Sequence, residues 1–289
     1  MISIVMNLKH HLDHFLDTFP REDHVQNDPV QFVHRFSEPA DREIVGFVAA
    51  AFSYGNVTSV IRSVGAIVER MGSHPARFVS GFEPRRDAGI FRGFYHRWNT
   101  ERDLVVLLWI LKRMVEEHGS LESLMLEGMD DTGGGTGAAL DRFSATALGF
   151  GHERFYKKKE LQGRRGVRYF FPRVSEGSAC KRLNLFMRWM VRADDGVDCG
   201  VWTRISPDRL VIPLDTHITR ISRYIGLTEL RSPNWKMALD ITESLRRLDP
   251  SDPLRYDFAL CHLGIAGDCP KKRDEAKCWK CPILAVCQL

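Results

Sequence analysis

The chain has 289 residues, 44% of them hydrophobic and 27% charged, with a net charge of +4 and a mean hydropathy of −0.24. That balance is ordinary for a water-soluble globular protein, long enough to bury a large core and to divide into two lobes. It excludes collagen-like and disordered chains, and the longest apolar runs, residues 44–52 and 104–111, fall far short of a membrane span.

Residues 1–19 make no secretion signal, because Lys9, Asp13 and Asp17 interrupt an apolar stretch that is already too short. A reducing cytoplasm is the expected location. Pro39, Asp41 and Glu43 open a helix through Phe52 that is nearly apolar all round and therefore central. After Ser53-Tyr54-Gly55-Asn56, the spacing of Val57, Val60, Ile61, Val64, Ile67, Val68 and Met71 predicts a second helix ended by Gly72. Thr100 with Asp103 begins a third, which Gly119 stops. Residues 128–138, GMDDTGGGTGA, read as a flexible excursion too rich in glycine to pack. Further helices are expected over residues 181–192, from Asp215, from Ser232-Pro233 through Leu248, and from Asp252-Pro253 to Gly264. No strand pattern exceeds a few residues, so the fold class is all-α.

Four cysteines close the chain as Cys269-x8-Cys278-x2-Cys281-x5-Cys287, threaded through polar, proline-broken loops. Without an export signal, such thiols bind metal rather than pair. A single Cys-x2-Cys unit flanked by lone cysteines suits a [4Fe–4S] cluster better than zinc, which prefers two paired knuckles and stays the alternative.

Charge is uneven. Twelve Lys and Arg lie between Arg154 and Arg192 against Glu160 and Glu176, so that stretch carries +10 and the rest of the chain −6. Interleaved Phe155, Tyr156, Tyr169, Phe170 and Phe171 make it a candidate polyanion-binding face.

Three stretches resemble the helix-hairpin-helix DNA glycosylase superfamily, most closely its endonuclease III branch. They are the cysteine tail with the preceding Leu260-Cys261-His262-Leu263-Gly264, the run Leu214-Asp215-Thr216-His217-Ile218-Thr219-Arg220, and Phe52-Ser53-Tyr54-Gly55-Asn56. The likeness spans roughly residues 30–289, broken over 128–172, and the chain is also similar to a bacterial family known only as a domain of unknown function. Where the superfamily has a Leu-Pro-Gly-Val-Gly-x-Lys hairpin, this chain has Ser175-Glu176-Gly177-Ser178-Ala179-Cys180-Lys181. The second hairpin glycine is thus Ala179, and both the Lys181–Asp215 separation and the first cysteine gap are longer than the family's.

The resemblance implies a two-lobed fold: residues 39–189 form a barrel-like lobe with the hairpin and the basic insertion, and residues 1–38 with 190–289 form the cluster-bearing lobe. It implies that Asp215 stabilises charge at the sugar C1′ or helps activate the nucleophile. Lys181 would be the Schiff-base lysine of an abasic-site lyase. DNA contacts would come from Gly177, Ser178, Ala179, Arg182 and Asn56, and from the loop Lys271-Lys272-Arg273. His217 is expected to be structural, and Trp279 and Ile283 to pack around the metal. The implied activity is a monomeric, nucleoid-associated base-excision glycosylase acting on a flipped base in damaged or abasic double-stranded DNA. A non-catalytic Fe–S nucleic-acid-binding protein on the same scaffold, or a zinc-stabilised helical protein binding RNA or protein, are the alternatives.

Overall fold

The computed structural model describes residues 2–132, 135–157, 159–160 and 165–289, with the backbone alone for residues 2–4 and 130–132. The chain is all-α, 62% helix and 1% strand. Among the described residues no helix is long and apolar enough to cross a membrane.

After α1 (Ile2–Thr18), α2 (Arg21–Val25) and a 3-10 turn over Pro29–Arg35 comes the central helix α3 (Pro39–Phe52). Proline at its first turn is pre-set for helical φ, and eleven of its residues are buried, including the whole run from Glu43 to Phe52. The charged side chains it does bury are caps. Asp41 Oδ1 accepts from Ala76 N at 2.7 Å, which holds the start of α5 (Pro75–Ser80), the helix that follows α4 (Val57–Met71), to the first turn of α3. Glu43 reaches further. Its Oε2 accepts from Leu121 N and its Oε1 from Glu122 N, both at 3.1 Å, and Trp202 Nε1 donates to Oε1 at 2.7 Å. Orphan donors at a helix start that faces the core need such an acceptor.

The short α6 (Pro84–Asp87) leads to a two-strand hairpin, β1 (Tyr95–His96) against β2 (Asn99–Thr100), and then to α7 (Glu101–His118). Thr100 and Asp103 form a reciprocal capping box there, and the helix ends at Gly119 in a left-handed conformation (φ 79°).

The expectation of a loose excursion over residues 128–138 is overturned. Those residues lie in α8 (Leu121–Thr132) and α9 (Gly135–Gly149), two helices packed closely on each other. Gly133 and Gly134 fall outside the described residues. Glycine serves contact here: a Cβ on Gly128 would sit 2.8 Å from Ala139 Cα, and one on Gly137 3.1 Å from the Trp235 ring. Composition alone reads such glycines as flexible, whereas the facing helix decides that they are packed.

Two apolar cores result. One gathers buried residues between Val30 and Leu210, together with Leu254; the other gathers Leu12, Phe15 and Leu16 with residues between Val211 and Ile283. The first is built around α3, α7 and α10 (Lys181–Val191). The second is built from α1, α11 (Thr216–Tyr224), α12 (Trp235–Arg246) and α13 (Asp257–Ile265), with the short α14 (Glu275–Cys278) in the tail. Helices α11 and α13 approach so closely that a Cβ on Gly264 would lie 2.6 Å from His217 Cβ. His217 is therefore part of this helix crossing.

Candidate catalytic cleft

Between the two cores lies a cleft of about 520 Å³. One wall is the Ser53–Asn56 segment with Lys181 and Leu185 of α10. The other is Pro213 and Asp215 to His217, with Phe258, Cys261 and His262 of α13. Lys181 and Asp215, 34 positions apart in sequence, both line it.

Asp215 is the N-cap of α11. Its Oδ1 accepts from His217 N and Ile218 N, both at 2.8 Å, and Cys261 Sγ donates to its Oδ2 at 3.4 Å. Two amides at a helix start place this carboxylate where the helix dipole favours negative charge. Lys181 begins α10, and its Nζ donates to Ser53 O at 3.4 Å. The preceding turn supplies the expected hairpin residues. Gly177 has φ +82° with open space around it, Ser178 Oγ accepts from Cys180 N at 3.0 Å, and Ala179 O accepts from Asn184 Nδ2 at 3.1 Å.

Asn56 lies on the cleft rim as the N-cap of α4, its side chain accepting from Ser59 N at 3.4 Å. Beside it, Tyr54 stacks on Trp98, whose ring centroid is 5.1 Å away, and donates to Asn99 Oδ1 at 2.5 Å. Trp98 remains 41% exposed, so with Tyr54 it presents aromatic surface at the cleft edge.

The basic stretch divides on folding. Arg182 lies over the Tyr169 ring at 3.8 Å and donates to Ala51 O at 3.0 Å and to Tyr169 O. Arg188 and Arg192 are buried and turn inward. Arg188 binds Asp198 Oδ1 at 3.0 Å and Asp257 Oδ2 at 2.5 Å, while Arg192 binds Asp198 and, at 2.8 Å, Asp252. Although burial opposes their charge, these carboxylates raise both guanidinium pKa values. A count of charges along the sequence cannot separate such core cations from solvent-facing ones.

The cysteine tail folds against α11 and α13. Arg220 Nη2 donates to Cys269 O at 2.8 Å, Cys269 N to Leu263 O at 3.2 Å, and Gln288 N to Tyr224 O at 2.7 Å. Burial raises the pKa of Cys269 and Cys281, and each also senses the charge of other tail thiols. All seven cysteines are unpaired. The tail thiols thus share one neighbourhood, yet among the described residues no three His, Cys, Asp or Glu side chains form a set that could hold a metal ion. Ile283 is buried in the second apolar core, whereas Trp279 is 75% exposed and does not pack inward. Lys271, Lys272 and Arg273 are exposed and outside the cleft lining; Arg273 Nη1 donates to Leu289 O at 3.2 Å.

Residues 28–266 match a protein family described as Protein of unknown function (DUF2400). The chain belongs to this family. The matched region contains every residue of the cleft and most of both cores, leaves out Leu12, Phe15, Leu16 and Ile283 of the second, and stops before the first tail cysteine. No curated protein and no solved structure matches the DUF2400 chain.

Sequence reasoning missed two cleft groups. Asp257 falls inside the helix expected from Asp252-Pro253 to Gly264, which in fact begins at Asp257, and Cys261 reads as an ordinary reduced thiol. Their spacing of four positions along α13 was the available signal, since it puts both on one helix face.

Proposed function

We propose that this DUF2400 protein is a DNA base-excision glycosylase with abasic-site lyase activity. The observation that carries the reading is the meeting of Lys181 and Asp215 in one cleft between two cores. An amine and a carboxylate there can serve one reacting carbon, and a volume of about 520 Å³ falls in the range of small-ligand sites, enough for one extruded nucleotide. The Lys181 amine attacks C1′ and forms an imine, and β-elimination then nicks the strand. Asp215 stabilises positive charge developing at C1′. The aromatic pair Tyr54 and Trp98 offers stacking surface to bases next to the gap left by flipping.

On this reading the fold is a two-lobed helix-hairpin-helix scaffold, monomeric and acting on double-stranded DNA at the nucleoid. Cys269, Cys278, Cys281 and Cys287 would hold a [4Fe–4S] cluster, with zinc the competing occupant. What supports it is the chemistry of the donors, four unpaired thiols on one short tail, although the described side chains do not gather three of them into a metal-holding set. The group's contribution when bound is structural, holding Lys271-Lys272-Arg273 toward phosphates.

The test is borohydride trapping on a duplex carrying an abasic site. A covalent adduct is expected for the wild type and none for Lys181→Ala, with affinity for the duplex retained. Binding without trapping in the wild type would leave a nucleic-acid-binding protein instead.

A further inference from the structure

Asp257 begins α13 and lines the cleft beside Asp215 and Cys261. It is 2% exposed. Its Oδ2 accepts from Arg188 at 2.5 Å, but its Oδ1 is buried with no hydrogen-bond partner. A buried carboxylate oxygen without a donor is costly, by roughly 1–3 kcal/mol or more, so the position calls for a proton on the oxygen itself or a donor brought by a ligand.

Burial favours a proton, and the surrounding charges are divided. From α10 Arg188 faces Asp257; from the loop after α10 comes Asp198; from the start of α11, Asp215. One turn further along α13 lies Cys261, and Asp28 acts on Arg188 from the 3-10 turn before α3. The Arg188 guanidinium is divided between Asp257 and Asp198. Asp215 differs, since three donors converge on it. Burial pushes the Asp257 carboxyl up to about 6, against the pull of Arg188 and with the help of Asp215 and Asp198.

We propose that Asp257 is a second catalytic group of this cleft, the general acid that protonates the departing base through Oδ1. The inference rests on the glycosylase reading above. The bond between C1′ and the base nitrogen breaks and its electron pair leaves with the base. The proton on Oδ1 passes to the base, and Asp257 remains as a carboxylate paired with Arg188. A new bond forms from the Lys181 amine, or from water, to C1′, and the surplus proton of that nucleophile passes to the Asp215 carboxylate.

The experiment uses the full chain and four duplexes, carrying uracil, 5,6-dihydrouracil, 8-oxoguanine or an abasic site. No base departs from an abasic site, so the two reactions separate the roles. Asp257→Asn should slow single-turnover base release at least about 100-fold, the scale of general-acid assistance, while trapping on the abasic duplex stays within about twofold. Wild-type base release should fall as pH rises above about 6, with that limb absent in Asp257→Asn. The inference is overturned if Asp257→Asn releases base within about threefold of wild type, or loses trapping as severely as release. It is also overturned by a wild type that traps but releases none of the three bases. A wild type that does neither overturns the glycosylase reading itself. If Asp257→Asn does not fold, Asp257→Glu carries the test: base release with an unmoved pH limb sinks the assignment.

Discussion

Cys261 donates its thiol hydrogen to Oδ2 of Asp215 across 3.4 Å, joining α13 to the start of α11 at the floor of the cleft. Burial, followed by the charges of Asp215 and Asp257, raises the pKa of this thiol and keeps it protonated, as a donor must be. Asp215 therefore has donors on both oxygens, two backbone amides on one and the thiol on the other.

Replacing Cys261 by Ala should leave the fold intact and free Oδ2. One lost hydrogen bond to a charged acceptor corresponds to about 1.5 kcal/mol, or roughly a tenfold fall in the Asp215-dependent single-turnover rate. Cys261 is half-buried, so its raised pKa rather than enclosure makes it slow to react in the native state. Mass spectrometry after brief iodoacetamide treatment should find it unmodified, and rapid labelling would show that the thiol is not held as described.

Gly128→Ala tests the α8–α9 contact. Helix propensity alone favours alanine by about 1 kcal/mol. Against it, the new Cβ meets backbone, 2.8 Å from Ala139 Cα, and backbone cannot turn aside as a side chain can. Overpacking should win, with a net loss of about 1–3 kcal/mol in urea unfolding. A stabilised variant would restore the picture of a loose glycine-rich segment.

Stability should carry a signature of Asp257. Burial lifts its pKa in the folded chain to about 6, above the ordinary aspartate value, so the native state holds this proton more tightly than the unfolded one. The contribution is fully present below about pH 4 and is lost as pH rises through 6. A shift of this size corresponds to about 3 kcal/mol across the window. Comparing unfolding free energies of wild type and Asp257→Asn from pH 4 to 7 isolates it. The wild type should lose ground relative to the variant as pH rises, and a flat difference would show that Oδ1 is not protonated there.

Protein purified without oxygen should be brown, with a broad absorption near about 400 nm and about four irons per chain. Replacing Cys281 by Ala should remove colour and iron together and lower the melting temperature if, as proposed, a bound cluster ties the tail to α11 and α13. Stoichiometric zinc without iron would assign the tail to zinc.

Local chemistry made much of the helical framework legible in the sequence. Pro39 at a first turn, the Thr100–Asp103 capping box and the apolar stripe from Val57 to Met71 act within a few residues of themselves, and α3, α7 and α4 begin and end where those signals lie. The Asp215 cap on α11 is local in the same way. Packing between distant segments decided the rest. Composition reads Gly128 as flexible, but Ala139 across a helix pair makes it a contact. Counting charges puts Arg188 on a basic face, but Asp198 and Asp257 bury it. The cleft itself is nonlocal: Lys181, Asp215 and Asp257 occupy three helix starts, and no periodicity along the chain relates them. Sequence patterns report on backbone conformation and on which side of an element meets the core. The environment of a buried charge depends on which other elements close over it, and that is settled only when the two cores meet.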